Sequence, residues 1–159
     1  MSTLGRIVMA LLVAPIVLSG TLHASDESSP CDRYSREKLP KFHLARQIRN
    51  ESLHSIVLFI SVATRGITQD RLLTLSCSLG KTYAKNETLV VWILDDRKAA
   101  KRYNPQGEGN DSATSLAYRA SYSFSREKND QSFGWLPDRG NYSSAVEIKL
   151  GPPPPIPHP

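Results

Sequence analysis

The chain is poor in the residues that most often carry chemistry. It has two cysteines, four histidines and two tryptophans in 159 residues. Cys31 and Cys77 stand far apart, with neither a Cys-x-x-Cys nor a Cys/His spacing around them, which argues against zinc and dithiol sites built on clustered ligands. Only His43 and His54 fall inside the expected folded region, and no His-Glu-x-x-His pattern or Gly-x-Ser-x-Gly elbow occurs. The metalloprotease and serine-hydrolase signatures are therefore missing. Gly107 and Gly109 do not continue into a nucleotide-binding glycine triplet, and the acidic residues near them miss the EF-hand spacing. No internal repeat is present.

There is also only one long apolar run. Ile7 to Leu18 follows a short region holding Arg6 and precedes the small residues Ser19 and Gly20. This is the pattern of a secretory signal peptide over residues 1–24. The run is shorter than the roughly 20 apolar residues a bilayer requires and contains Pro15. The expectation is a soluble protein, secreted or periplasmic, with no transmembrane anchor. In an oxidising compartment Cys31 and Cys77 can close a disulfide around a loop of about 47 residues, worth up to ~4 kcal/mol in the chain-entropy model. Their spacing alone does not establish the pair.

Without Arg6, 19 of the 20 Lys and Arg residues remain against 15 acidic ones, a net charge of +4. The surplus is local. Arg33, Arg36, Lys38, Lys41, Arg46 and Arg49 face only Asp32 and Glu37, a stretch suited to an anionic or protein partner in the cell envelope or outside the cell. A solvated linker face is the plainer reading of the same residues.

The remaining chain reads as an extended or disordered lead-in over 25–40, one domain over 41–150 and a proline-rich tail over 151–159. Residues Lys41 to Arg49 carry Phe42, Leu44, Ala45 and Ile48 at the spacing of a short helical stripe, with an extended segment as the alternative. Ser55 to Ala63 and Thr88 to Asp95 are apolar runs without polar alternation, as in strands covered on both faces. Between them, a helix beginning after Thr68 puts Leu72, Leu73, Leu75, Cys77, Leu79 and Gly80 on one arc. Gly80 in that arc predicts close approach to a sheet, and Cys77 lies near its margin.

Strand, amphipathic helix and strand make a parallel β-α-β unit with a right-handed crossover. Period-two alternation over Leu116 to Ser125, then Phe133 and Trp135, then Val146, Ile148 and Leu150, adds an antiparallel meander. The expected class is an α/β (α+β) two-layer sandwich with a mixed sheet of about five strands. The segment "GPPPPIPHP" donates almost no backbone hydrogen bonds and reads as a polyproline II tail outside the domain.

Asp95 and Asp96 end the second apolar strand, the edge where open α/β sheets bind ligands. Two close carboxylates there can share a metal or divide into acid and base. Glu108 and Asp111 are further metal-ligand candidates, and Arg97, Lys98, Lys101 and Arg102 form a candidate anion-binding face. Each has a structural counterpart: Asp96 as the cap of the helix "RKAAKRY", the basic face as solvated surface, and "NPQGEGND" as turn chemistry. Asn50, Asn86, Asn110 and Asn141 each begin an Asn-x-Ser/Thr sequon in an expected loop.

No cofactor is implied. The leading expectation is an exported binding or interaction module. A metal-dependent hydrolase or phosphate-handling enzyme using Asp95 and Asp96 is the alternative.

Overall fold

The computed structural model describes Cys31, residues 38–65 and residues 67–158. The expected signal peptide, most of the lead-in, Arg33 and Arg36 lie outside the described residues. Among the described residues six strands form one sheet in the order β1 to β6: β1 (Phe42–Asn50), β2 (Ser55–Val62), β3 (Thr88–Leu94), β4 (Tyr118–Ser125), β5 (Asp130–Trp135) and β6 (Val146–Gly151). β2 and β3 are parallel neighbours, with Leu58 opposite Val91 and Ile60 opposite Ile93. Every other pairing is antiparallel. The mixed α+β sandwich, with its parallel unit followed by a meander, is as the periodicity implies.

Helix α1 (Gln69–Thr82) links the parallel strands. It starts where Thr68, in extended conformation, accepts a hydrogen bond from the Arg71 amide at 3.3 Å, and Asp70 sits in its positive first turn. Its buried arc meets the even-numbered residues of β2, Ile56 to Val62, together with Leu89, Val91, Ile93, Tyr122, Phe124 and Phe133. Full burial of one such aliphatic or aromatic side chain contributes about 1.5–3 kcal/mol. At Gly80 the helix comes close to the sheet, since a β-carbon there would collide with the Tyr122 hydroxyl. Near the arc's margin Cys77 is disulfide-bonded to Cys31, with Cα atoms 5.3 Å apart.

Two short helices, α2 (Arg97–Arg102) and α3 (Ser112–Leu116), follow β3. Ala99, Ala100 and Tyr103 pack with Phe59 and Leu94 in a second, smaller core on the opposite face of the sheet. That cover lies over β1, β2 and β3 and leaves the same face of β4 to β6 bare among the described residues.

Two expectations change. Residues 42–50 are a strand, so the sheet has six members and the helical stripe is not formed. The cause is a bulge at Ala45, where the register with β2 slips. Phe42 and Leu44 lie opposite Val62 and Ile60, whereas Arg46 and Ile48 lie opposite Phe59 and Val57 on the other face. One extra residue turns a period of two into spacings that imitate a helix.

The proline tail, expected outside the domain, is fastened to it. The Gln131 side-chain amide donates to Pro152 O at 2.7 Å, and the Arg126 guanidinium donates to Pro154 O at 2.9 Å. Prolines cannot donate, but their carbonyls accept. The same Gln131 accepts from the Tyr122 hydroxyl at 2.8 Å, so the tail is linked through one buried amide to the contact under Gly80.

Replacing Gly80 with alanine should lower stability by about 1–3 kcal/mol through overpacking against Tyr122. In urea unfolding, Gly80→Ala combined with Tyr122→Phe should lose less than the two single losses added together. Strict additivity would mean that the helix and Tyr122 are not in contact.

Candidate functional site

The acidic edge is where the parallel unit puts it, but its carboxylates serve different structures. Asp95 has a side chain only 1% exposed, with Arg139 Nη2 2.8 Å from one oxygen and Arg119 Nε 4.0 Å from the other. Arg139 also donates from Nε to Leu116 O at 3.1 Å, and the Asp95 amide donates to Ala117 O at 2.8 Å. The carboxylate thus ties the end of β3 to the start of β4 and to the loop between β5 and β6. Asp96 is the α2 cap, accepting from the Ala99 amide at 2.7 Å.

Asp111 caps α3 in the same way, accepting from the Thr114 amide at 2.7 Å. Hydrogen bonding from Thr114, aided by Arg102 at 3.4 Å, holds its carboxyl below the usual value. Glu108 lies exposed in a loop held by amides: the Asn104 amide donates to Asn110 Oδ1 at 2.9 Å, and Asn110 Nδ2 donates back to Asn104 O at 2.7 Å. Among the described residues no group of three or more His, Cys, Asp or Glu side chains converges as a metal site. Arg97, Lys98 and Lys101 are exposed on α2, and Arg102 is engaged with Asp111.

The sequon asparagines sit at or beside turns, and all four side chains are hydrogen-bonded: Asn86 donates to Tyr83 O at 2.9 Å and Asn110 to Asn104 O at 2.7 Å, while Asn50 Oδ1 accepts from the Leu53 amide at 3.2 Å and Asn141 Oδ1 from the Ser143 hydroxyl at 2.6 Å.

The bare side of the sheet has a different composition. Two rows run across it by register. One is Trp92, Ser121, Gly134 and Glu147; the next is Val90, Ser123, Ser132 and Lys149. With strands ~4.8 Å apart, each row is about 14 Å long. Its floor is shallow because the side chains are small. A β-carbon at Gly134 would come 2.9 Å from Ser121 Oγ. At the far side Glu147 and Lys149 pair at 2.7 Å, so these two rows carry no net charge, and Asp130 acts on Lys149 from the adjoining row.

Aromatic rings wall the near side. Tyr103 stacks on Tyr118 with centroids 5.9 Å apart and planes 6° from parallel, and Tyr118 stacks on Tyr142 at 6.2 Å and 13°. Trp92 lies 6.0 Å from Tyr118 and 5.7 Å from Tyr103. Tyr103 is buried at the inner end of this ladder, while Tyr142 is 53% exposed at the outer end. Burial pushes the phenols of Tyr118 and Tyr103 above their ordinary values, and Tyr118 donates to Ser121 Oγ at 3.1 Å. Tyr142 is fixed in turn by its hydroxyl, which donates to Ser115 O at 3.1 Å.

Sequence periodicity places Tyr118 with Ala120, Tyr122 and Phe124. The structure moves it to the opposite face. Leu94 pairs with Tyr118 and Ile93 with Ala120, leaving Arg119 as an extra bulged residue. Arg119 is thereby turned toward Asp95, with its guanidinium 5.4 Å from the Trp135 ring centroid. The tyrosine at 142, in a 3-10 turn, carries no periodic signal at all. Its role depends on Arg139 three residues earlier, which the Asp95 carboxylate holds.

No family model, curated protein or solved structure matches the chain. Among the described residues, no helix is long and apolar enough to cross a membrane.

Asp95→Asn should lower stability by about 2–3 kcal/mol, because a buried, charge-assisted contact is lost and two guanidinium groups are left behind. Calcium, magnesium and manganese should leave the Tm of the wild type unchanged. A stable Asp95→Asn variant, or a Tm raised by a divalent ion, would restore the acidic edge as a site.

Proposed function

We propose that this is an exported binding module whose open sheet face takes a neutral, polyhydroxylated ligand of the oligosaccharide class, with no reaction of its own. The observation that carries the reading is the row Trp92–Ser121–Gly134–Glu147, covered by Tyr103 and Tyr118 at its Trp92 end and open at its Glu147 end, beside the Tyr118–Tyr142 stack. Aromatic faces accept the C–H faces of sugar rings and contribute large contact area at low entropic cost. Serine hydroxyls and the Glu147–Lys149 pair supply both donors and acceptors for ligand hydroxyls. A phosphate-bearing ligand would call for a surplus of cations on this face, and Lys149 is matched by Glu147.

The hydrolase alternative loses its support where Asp95 and Asp96 are committed to a clamp and a cap. Export is supported by the apolar run Ile7 to Leu18 and by the disulfide between Cys31 and Cys77.

Of the chain's two tryptophans, Trp135 is only 9% exposed and packs in the α1 core, so a ligand on this face acts on Trp92 emission. Titration with cellohexaose and chitohexaose should give a saturable change in fluorescence for at least one of them. Tyr142→Ala should weaken that binding about tenfold, the equivalent of one aromatic contact, without moving Tm by more than a few degrees. Unchanged emission with both sugars, or unchanged affinity in Tyr142→Ala, contradicts the proposal.

A further inference from the structure

The first strand raises a separate question, because among the described residues it is the edge of the sheet and little of it is buried. Of its nine residues only Ala45 and Arg46 are even half-buried. Phe42, Leu44 and Ile48 are 44%, 41% and 49% exposed, and Leu39 just before them is 44% exposed. An edge strand offers unpaired N–H and C=O groups along its free side, a template on which another strand can add. Folded proteins protect such edges with charge or with a bulge. Both devices occur here, in Lys41, Arg49 and the bulge at Ala45, but a protective edge would carry charge in place of large apolar side chains, and this one carries both.

We infer that β1 is a docking edge that takes an extended, acidic segment of a protein partner as a seventh strand. Charge complementarity selects that occupant. Between Lys38 and Asn50 the chain has Lys38, Lys41, Arg46 and Arg49 and no acidic residue. Arg46 is committed inward, donating to Tyr103 O at 2.7 Å and lying 3.8 Å from the Phe59 ring centroid. The other three cations are exposed. A second copy of this chain would bring a strand of the same sign against β1, whereas an acidic strand is attracted to it.

The bulge also shapes what the added strand must carry. Phe42, Leu44 and Arg49 lie on the α1 side, and Lys41's neighbour His43, with Ile48, lies on the other. Apolar side chains thus flank the new strand on both faces, with the exposed cation Arg49 on the α1 side and Lys41 just before the strand. Its complement has apolar residues on each face and acidic ones toward these cations, with main-chain hydrogen bonds supplying affinity and the side chains supplying choice.

The test uses the full mature chain and a fluorescein-labelled, end-blocked nonapeptide, Val-Val-Glu-Glu-Val-Val-Glu-Glu-Val, which shows valine and glutamate on both faces when extended. Fluorescence anisotropy should report saturable binding. Charge reversal at two exposed positions, Lys41→Glu with Arg49→Glu, should weaken it at least tenfold. Leu44→Ser with Ile48→Ser, which leaves the charge intact, should weaken it as well. N-methylation of alternate peptide amides should abolish binding in one of the two possible phases. Absence of binding would overturn the inference. So would equal affinity for a nonaglutamate peptide, which means charge alone, or for both N-methylated peptides. Self-association in sedimentation that the serine variants abolish would assign the edge to a second copy and overturn it too. Neither sugar affinity nor Trp92 emission enters this test, so its outcome is independent of the open-face proposal.

Discussion

A single carboxylate, Asp95, organises the end of the sheet where β3 meets β4. The backbone of β3 brings it to the rim of the sheet, and two arginines from later in the chain, Arg119 and Arg139, close on it. Taking a carboxylate out of water is costly, and the cost is offset only by close, oriented partners. Arg139 supplies one at 2.8 Å while remaining 54% exposed, so it keeps part of its own hydration. In meeting Asp95, Arg139 draws in the loop between β5 and β6, and that loop brings Tyr142 onto Tyr118. A position that favours ligand binding in open α/β sheets is here an anchor, and the exposed surface it organises lies on the neighbouring bare face.

Local covalent order accounts for much of the architecture. β2 and β3 are runs of apolar residues long enough for strands and too short for helices, and α1 has a continuous greasy arc with a capping threonine at its head. These signals depend on neighbours within one element, and they survive folding intact. Cys77 at the arc's margin and Gly80 at its centre both take the roles their positions imply: one bonds to Cys31, the other makes room for Tyr122.

What sequence could not convey came from single-residue slips and from contacts between distant segments. The bulge at Ala45 hid a strand behind helical spacing, and the bulge at Arg119 sent Tyr118 to the opposite face. A period-two argument has no means of locating an extra residue, since it reads the same composition on either side. The rows across β3 to β6 exist only once four strands are in register. The attachment of the tail is illegible in sequence for another reason: its prolines lack donors, while Gln131 and Arg126 use their carbonyls as acceptors. Of the candidate site residues, Asp96 takes the capping role its position before the helix implies, whereas the arginine partners of Asp95 come from distant segments.

The central claim is that the Asp95 clamp positions the Tyr142 loop, and amide hydrogen exchange tests it most directly. In Arg139→Gln, the amides of Asn141, Ser144 and Ala145, which donate within this loop, should exchange markedly faster than in the wild type. Protection across β2 and β3 should be retained. Unchanged exchange in the loop, or an equal loss of protection throughout the sheet, would contradict the account.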